Sequence, residues 1–298
     1  EISQCTFSTN KAGNTGGLMS GGVIRNTYTG IITIKDSTFN GNTAKNGGAI
    51  HNYGTLTVLN STFSNNTASN QGGAIHNEYK LTLTNSSFSD NSALSGAGIY
   101  NNDSMNIINT LIANSTAGGD CYDDGSTINP NNSLIEDGTC SATYSGDPAL
   151  GPLADNGGPT YTHALLPGSP AIDMGDLNSC TDDDQRNISR PKGEGCDIGA
   201  FEFFPAAADF VGTPTSGAAP LNVVFTNQSS GDFDTCLWDF GDGMKSSACF
   251  PGPHTYTKPG LFDVSLSVSG LGGEDTKTRV TYINVDEIKN FLPLIVKE

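Results

Sequence analysis

Between residues 31 and 117, short runs in which apolar residues alternate with Thr, Ser, Lys and Asn recur about every 25 residues. Aligned on one another, ITIKDSTFNGNTAKNGGAIHN, LTVLNSTFSNNTASNQGGAIHN, LTLTNSSFSDNSALSGAGIYN and the weaker MNIINTLIANSTA put like residues in columns. Ile32, Leu56, Leu81 and Met105 form one column, Ile34, Val58, Leu83 and Ile107 the next, and Phe39, Phe63, Phe88 and Ile112 a third. Ala44, Ala68, Ala93 and Ala117 follow, and Ile50, Ile75 and Ile99 close the set. Alternation with a period of two is strand spacing, and a fixed repeat means stacked units, none of which buries its apolar side alone. The expected fold class is all-β: a parallel β-helix with coils about 4.8 Å apart, each column becoming a ladder inside the solenoid.

Asparagine also forms columns, Asn42, Asn66 and Asn91 in one and Asn26, Asn52, Asn77 and Asn101 in another. At tight corners these are expected to take left-handed backbone and to pass amide hydrogen bonds from coil to coil. His51 and His76 share a slot that Arg25 and Tyr100 fill in neighbouring coils. Imidazoles one coil apart are a possible metal pair, but the mixed occupancy of the slot favours a solvated outer ladder. The pattern FxxN followed by GGAI, across residues 1 to 118, resembles the repeats of polymorphic outer membrane proteins and related bacterial surface proteins. That resemblance implies a right-handed β-helix and a cell-surface setting, and says little about activity. The first thirty residues read as a further copy, with Phe7 in the phenylalanine slot. The chain thus opens inside a repeat, so its first coil is expected to be preceded by further sequence or covered by another molecule.

Charge narrows the partners: 14 Lys and Arg against 31 Asp and Glu give a net charge of −17. Such a surface repels phosphate backbones and anionic lipid, so neither nucleic acid nor direct membrane insertion is expected. Six of the seven cysteines fall into near neighbours, Cys121 with Cys140, Cys180 with Cys196 and Cys236 with Cys249. Disulfides closing loops of that length stabilise by about 3 kcal/mol each and belong to an oxidising, extracellular compartment. No CxxC spacing supports zinc instead, and Cys5 is left over.

After Ala117 the repeat fades into an acidic loop, GGDCYDDGSTINPNNSLIEDGTC. No cofactor is expected, with Ca²⁺ at Asp120, Asp123 and Asp124 as the alternative, although their spacing matches no 12-residue calcium loop. From Asp147 to Phe203, the runs GPLADNGGPT, HALLPGSPAID and CDIGAFE resemble the choice-of-anchor Q segment of bacterial surface proteins. In this context residues 119–204 are expected to add C-terminal coils and a cap. Their most site-like polar residues are His163, Asp173, Asp184, Arg186, Arg190 and Asp197, read as ion pairs that lock the cap. Residues 205–208 read as a linker. Short alternating strands over 209–285 argue an immunoglobulin-like β-sandwich. Within it, WDFGDG at 238–243 and HTY at 254–256 resemble the PKD domain, an extracellular spacer or binding module.

The last segment, 286–298, is an apolar tail in which Phe291, Leu292, Leu294, Ile295 and Val296 need cover, from the sandwich or from another subunit. Along the coils acids are nearly absent, and Asp36, Glu78, Asp90 and Asp103 share no column. Paired carboxylates for hydrolysis and the nucleophile motifs are missing, so no enzyme is expected. The leading expectation is a secreted or cell-surface structural and adhesive protein that assembles head to tail with itself into filaments. A cell-surface glycan-binding module is the alternative, and a β-helix polysaccharide lyase or hydrolase the third.

Overall fold

A computed structural model describes residues 1–12, 20–125 and 127–287, and the chain divides into two units, Glu1–Phe203 and Phe204–Glu298. The regular elements among the described residues are all strands. The expected tail contacts at Phe291, Leu292, Leu294, Ile295 and Val296 lie outside the described residues.

The first unit is a parallel solenoid with three long sheets and a short fourth one, Thr43–Asn46 paired with Thr67–Gln71. Sheet I stacks Ile2–Ser3, Ile31–Lys35, Thr55–Leu59, Lys80–Thr84, Met105–Ile108 and Ile128–Asn131 in that order. Sheet II stacks Thr6–Ser8, Thr38–Asn40, Thr62–Ser64, Ser87–Ser89, Leu111–Ala113 and Leu134–Ile135. Sheet III stacks Ile24–Asn26, Ile50–Asn52, Ile75–Asn77, Ile99–Asn101 and Cys121–Asp123. The sequence columns are the register of these sheets: Leu56 pairs with Ile32 and Leu81, Phe63 with Phe39 and Phe88, and Ile75 with Ile50 and Ile99. Inside, the phenylalanines of neighbouring coils stack nearly parallel, with ring centroids 4.7 Å apart for Phe39–Phe63 and 4.6 Å for Phe63–Phe88. Each such pair adds about 0.5–1.5 kcal/mol beyond the apolar area it buries.

Corners follow from residue chemistry. The asparagine columns do form amide ladders, with Asn42 Nδ2 donating to Asn66 Oδ1 at 2.9 Å and Asn52 Nδ2 to Asn77 Oδ1 at 2.7 Å. The left-handed backbone, however, lies in other columns, Asp36, Asn60, Asn85 and Asn109 in one and Asn65, Asp90 and Asn114 in another. An interior ladder needs its amides aimed along the solenoid axis, whereas the sharp turn falls where the chain leaves a strand. The GGAI glycines are steric requirements: Gly47 has φ +62°, and a Cβ on Gly48 would lie 2.1 Å from the Gly73 carbonyl oxygen.

Beyond Ala117 the expected further coil is present and one expectation is corrected. The strands Cys121–Asp123, Ile128–Asn131 and Leu134–Ile135 add one coil: Cys121 takes the isoleucine slot beside Ile99, and Ile135 follows Ile112 in sheet II. The Cys121–Cys140 disulfide then closes this end of the apolar core, with Cys140 and Ala142 packed against it. Residues 147–203 do not continue the stack. They run as a strap along the outer face of sheet II, opening with the antiparallel pair Leu150–Ala154 and Thr162–Leu165. Gln185 accepts from Thr62 Oγ1 at 2.7 Å and donates to Thr38 Oγ1 at 3.0 Å. Ala200 N donates to Ser87 Oγ at 2.9 Å, and Asp176 N to Asn109 Oδ1 at 2.7 Å. Strap residues thus bond to four successive coils, and the Ser and Thr column of sheet II is buried beneath them.

The second unit has a three-stranded sheet of Phe210–Thr213, Leu221–Asn227 and His254–Tyr256. Its five-stranded sheet runs Ser216–Ala218, Gly273–Asp286, Gly260–Gly270, Thr235–Asp239 and Lys245–Ser246. Phe210, Phe225, Trp238 and Tyr256 fill the space between them. Residues 205–208 are no free connector: Ala206 N bonds to Gly272 O at 2.9 Å and Ala207 N to Ser230 O at 2.8 Å, which ties the segment to the sandwich.

Candidate functional site

On the outer face of sheet III, parallel pairing sets His51 directly against His76, with Arg25 before them and Tyr100 and Tyr122 after. The rings touch in a continuous row. Centroids lie 5.2 Å apart for Tyr28–Tyr53, 4.3 Å for Tyr53–His51, 4.4 Å for His51–His76, 5.0 Å for His76–Tyr100 and 4.6 Å for Tyr100–Tyr122. Tyr28 and Tyr122, at the two ends, are 78% and 41% exposed, while Tyr100 is buried. The guanidinium of Arg25 sits over the Tyr53 ring at 5.2 Å.

The histidines are not a solvated ladder. His51 and His76 are 1% and 2% exposed, because the ring row closes over them. None of their four ring nitrogens has a hydrogen-bond partner. Glu78 Oε1 lies 3.1 Å from His76 Nε2 and 3.7 Å from His51 Nε2, but out of hydrogen-bonding alignment. Each buried polar atom left so costs about 1–3 kcal/mol. Burial, then the neighbouring His76 and Arg25, lowers the pKa of His51 to about 3. Burial also lowers that of His76, against the opposing pull of Glu78. The second carboxylate oxygen of Glu78 accepts from Asn102 Nδ2 at 3.0 Å, which fixes the acid in place.

The other site-like residues are committed to the protein itself. His163 is buried under the strap, but its Nδ1 donates to the Gly151 carbonyl at 2.8 Å, which leaves Nε2 to accept from Ser64 Oγ at 3.0 Å. Asp184 accepts from Arg186 N and Nε, Ile188 N and Glu202 N. Arg190 pairs with Glu202 at 2.7 Å, both side chains fully buried. Asp197 accepts from the backbone N–H groups of Asp173 and Phe203, and Asp173 Oδ1 from Gly195 N at 3.0 Å. Burial, then the Glu202 carboxylate, raises the pKa of Asp197 to about 7. Beside this network a cleft of about 380 Å³ is lined by Lys35, Asp36, Asn60, Thr181 and Asp183. Burial raises the pKa of Asp36 there.

Asp120, Asp123 and Asp124 do not converge as a calcium site. Asp120 is buried and accepts from Asp137 N at 3.0 Å. Asp123 occupies the next rung of the asparagine ladder and ends it: a carboxylate only accepts, and it takes the Asn101 amide at 2.7 Å. Among the described residues, the acids and imidazoles whose donor atoms gather within 4.8 Å of one another are His51, His76 and Glu78.

In the second unit, Trp238 is fully buried and its Nε1 donates to Ala248 O at 3.1 Å, next to the Cys236–Cys249 disulfide. Residues 205–285 match the family of PKD domains. This unit is a PKD domain. Its WDFGDG acids hold their own turn, with Gly241 N on Asp239 Oδ1 at 3.0 Å and His254 Nε2 against Asp242 Oδ2 at 2.9 Å. Lys245, followed by the Gly241 amide, lowers the pKa of Asp239. Residues 36–53 and 60–78, in the solenoid, match the Chlamydia polymorphic membrane protein repeat.

No curated protein matches the chain. Among solved structures, one of carbohydrate-binding modules from the β-sandwich superfamily is 29% identical over 29% of this chain, with a TM-score of 0.26. This chain spans 36% of that one. The PKD1 domain of the Vibrio cholerae metalloprotease PrtV is 32% identical, over 28% of this chain and 99% of its own, with a TM-score of 0.24. The PKD1 domain of Vibrio anguillarum Epp is 31% identical, over 28% of this chain and all of its own (100%), with a TM-score of 0.24.

Proposed function

We propose that this chain is a non-enzymatic adhesive protein of the cell surface or extracellular space, and that it holds glycans along the outer flank of sheet III. The polymorphic membrane protein repeats, the PKD domain and three disulfides support the surface setting. The row from Tyr28 to Tyr122 carries the glycan reading. The exposed rings at its two ends, Tyr28 and Tyr122, held by the stacked rings between them, offer apolar area for the C–H face of a sugar at small entropic cost, with phenol and guanidinium groups at hand for its hydroxyls. The carboxylates of the strap support a non-enzymatic role, since their oxygens already accept backbone and arginine donors. Head-to-tail assembly through the C-terminal tail rests on residues outside the described ones.

Binding of the chain to surface polysaccharides, followed by calorimetry after a glycan-array screen, tests this reading. Tyr28→Ala with Tyr122→Ala, both exposed and outside the core, is expected to weaken binding about tenfold, from roughly 0.5–1.5 kcal/mol per aromatic contact. Unchanged affinity in that variant, or no glycan bound by the natural chain, overturns it.

A further inference from the structure

From the same flank, and independently of glycan binding, we infer that His51, His76 and Glu78 form a binding site for a first-row divalent metal ion of the zinc class. The Nε2 atoms of both imidazoles lie close to one carboxylate oxygen, at 3.7 Å and 3.1 Å. In a tetrahedral site with ligands 2.0–2.2 Å from the metal, donor atoms lie roughly 3.3–3.5 Å apart. The two separations straddle that value, so sub-ångström shifts of the Glu78 side chain suffice at these two edges; the third edge, between rings stacked 4.4 Å apart and 9° from parallel, closes when the imidazoles tilt toward the ion.

Elsewhere among the described residues, the buried side-chain atoms without a hydrogen-bond partner are Ser115 Oγ and Arg190 Nε. The asparagine ladders pass each amide to the next coil, and His163 uses both nitrogens. Only in the His51–His76 pair, among the described histidines, are all ring nitrogens buried and left without a partner. A metal ion, bound between them, is the partner that one acceptor nitrogen from each ring and a nearby carboxylate oxygen fit. Glu78, partly exposed, opens the cluster to solvent, and the Asn102 amide holds its distal oxygen as an outer-shell support of the ligand. Two imidazoles and one carboxylate suit Zn²⁺, Cu²⁺, Ni²⁺ or Co²⁺ rather than Ca²⁺, which takes six to eight oxygens. Three protein ligands also leave one tetrahedral position for water or an external donor.

The test uses the untagged chain, stripped with a chelator and titrated with Zn²⁺ by calorimetry and with Co²⁺ by visible absorption. One equivalent of Zn²⁺ and a tetrahedral Co²⁺ spectrum are expected. His76→Phe, which keeps the ring stack, should weaken binding at least 100-fold, and Asn102→Ala about tenfold through its outer-shell role. His254→Gln, at the His254–Asp242 pair of the second unit, should leave binding intact; circular dichroism confirms that each variant folds. No stoichiometric Zn²⁺, full affinity in folded His76→Phe, or loss in His254→Gln instead would overturn the assignment.

Discussion

Two outer faces of one solenoid bury histidine in opposite ways. On sheet II the strap brings His163 against Ser64 and Gly151, so that its two nitrogens each have a partner. On sheet III the ring row buries His51 and His76 without partners for any nitrogen. Satisfied burial holds a structure together; unsatisfied burial stores binding capacity, because what the fold leaves open a ligand can fill. On the proposed reading, sheet II is thereby the structural flank and sheet III the binding flank.

The sharpest break on the structural side is Glu202→Gln, which leaves the Arg190 guanidinium buried without its counter-ion. A loss of about 3–5 kcal/mol in urea denaturation of the first unit is expected. Loss below about 1 kcal/mol would mean that the network does not lock the strap.

A pH series sharpens the same network. Asp197 has its pKa raised to about 7 in the folded chain, from an ordinary 3.8. The folded state therefore binds the proton more tightly than the unfolded state. Its contribution to stability is present at low pH and lost as pH rises from about 4 to 7, by up to roughly 1.4 kcal/mol per pH unit. Asp197→Asn should flatten that fall, and denaturation midpoints across the window read it. An equal slope in both chains would assign the effect to the general repulsion of a −17 surface instead.

The core of the solenoid was legible because each coil repeats the same burial: Phe39, Phe63 and Phe88 fall at one phase, and so do Ile50, Ile75 and Ile99. The register of the coil after Ala117 was hidden because Cys121 and Pro130 stand where the repeat has aliphatic residues. Nothing in the repeat announced the strap, whose partners lie as far away in sequence as Thr62 and Gln185. The one signal was the uncharged Ser and Thr column at Thr38, Thr62 and Ser87, where a solvated face would carry Lys and Glu. The burial of His51 and His76 was likewise illegible. A histidine at an outward strand position reads as solvated, and it is Tyr53, folding back onto His51 from two residues along, that helps to cover it.

The most direct measurement of the two-flank account is the paired stability of His163→Phe and His76→Phe in chelator. The first removes the acceptor of the Ser64 hydroxyl proton and the imidazole donor of the Gly151 carbonyl and should lose about 2 kcal/mol, whereas the second removes two unpartnered nitrogens and should be neutral or slightly stabilising. Equal losses at the two positions would contradict the account, since they would show His76 to be as firmly paired in the folded chain as His163.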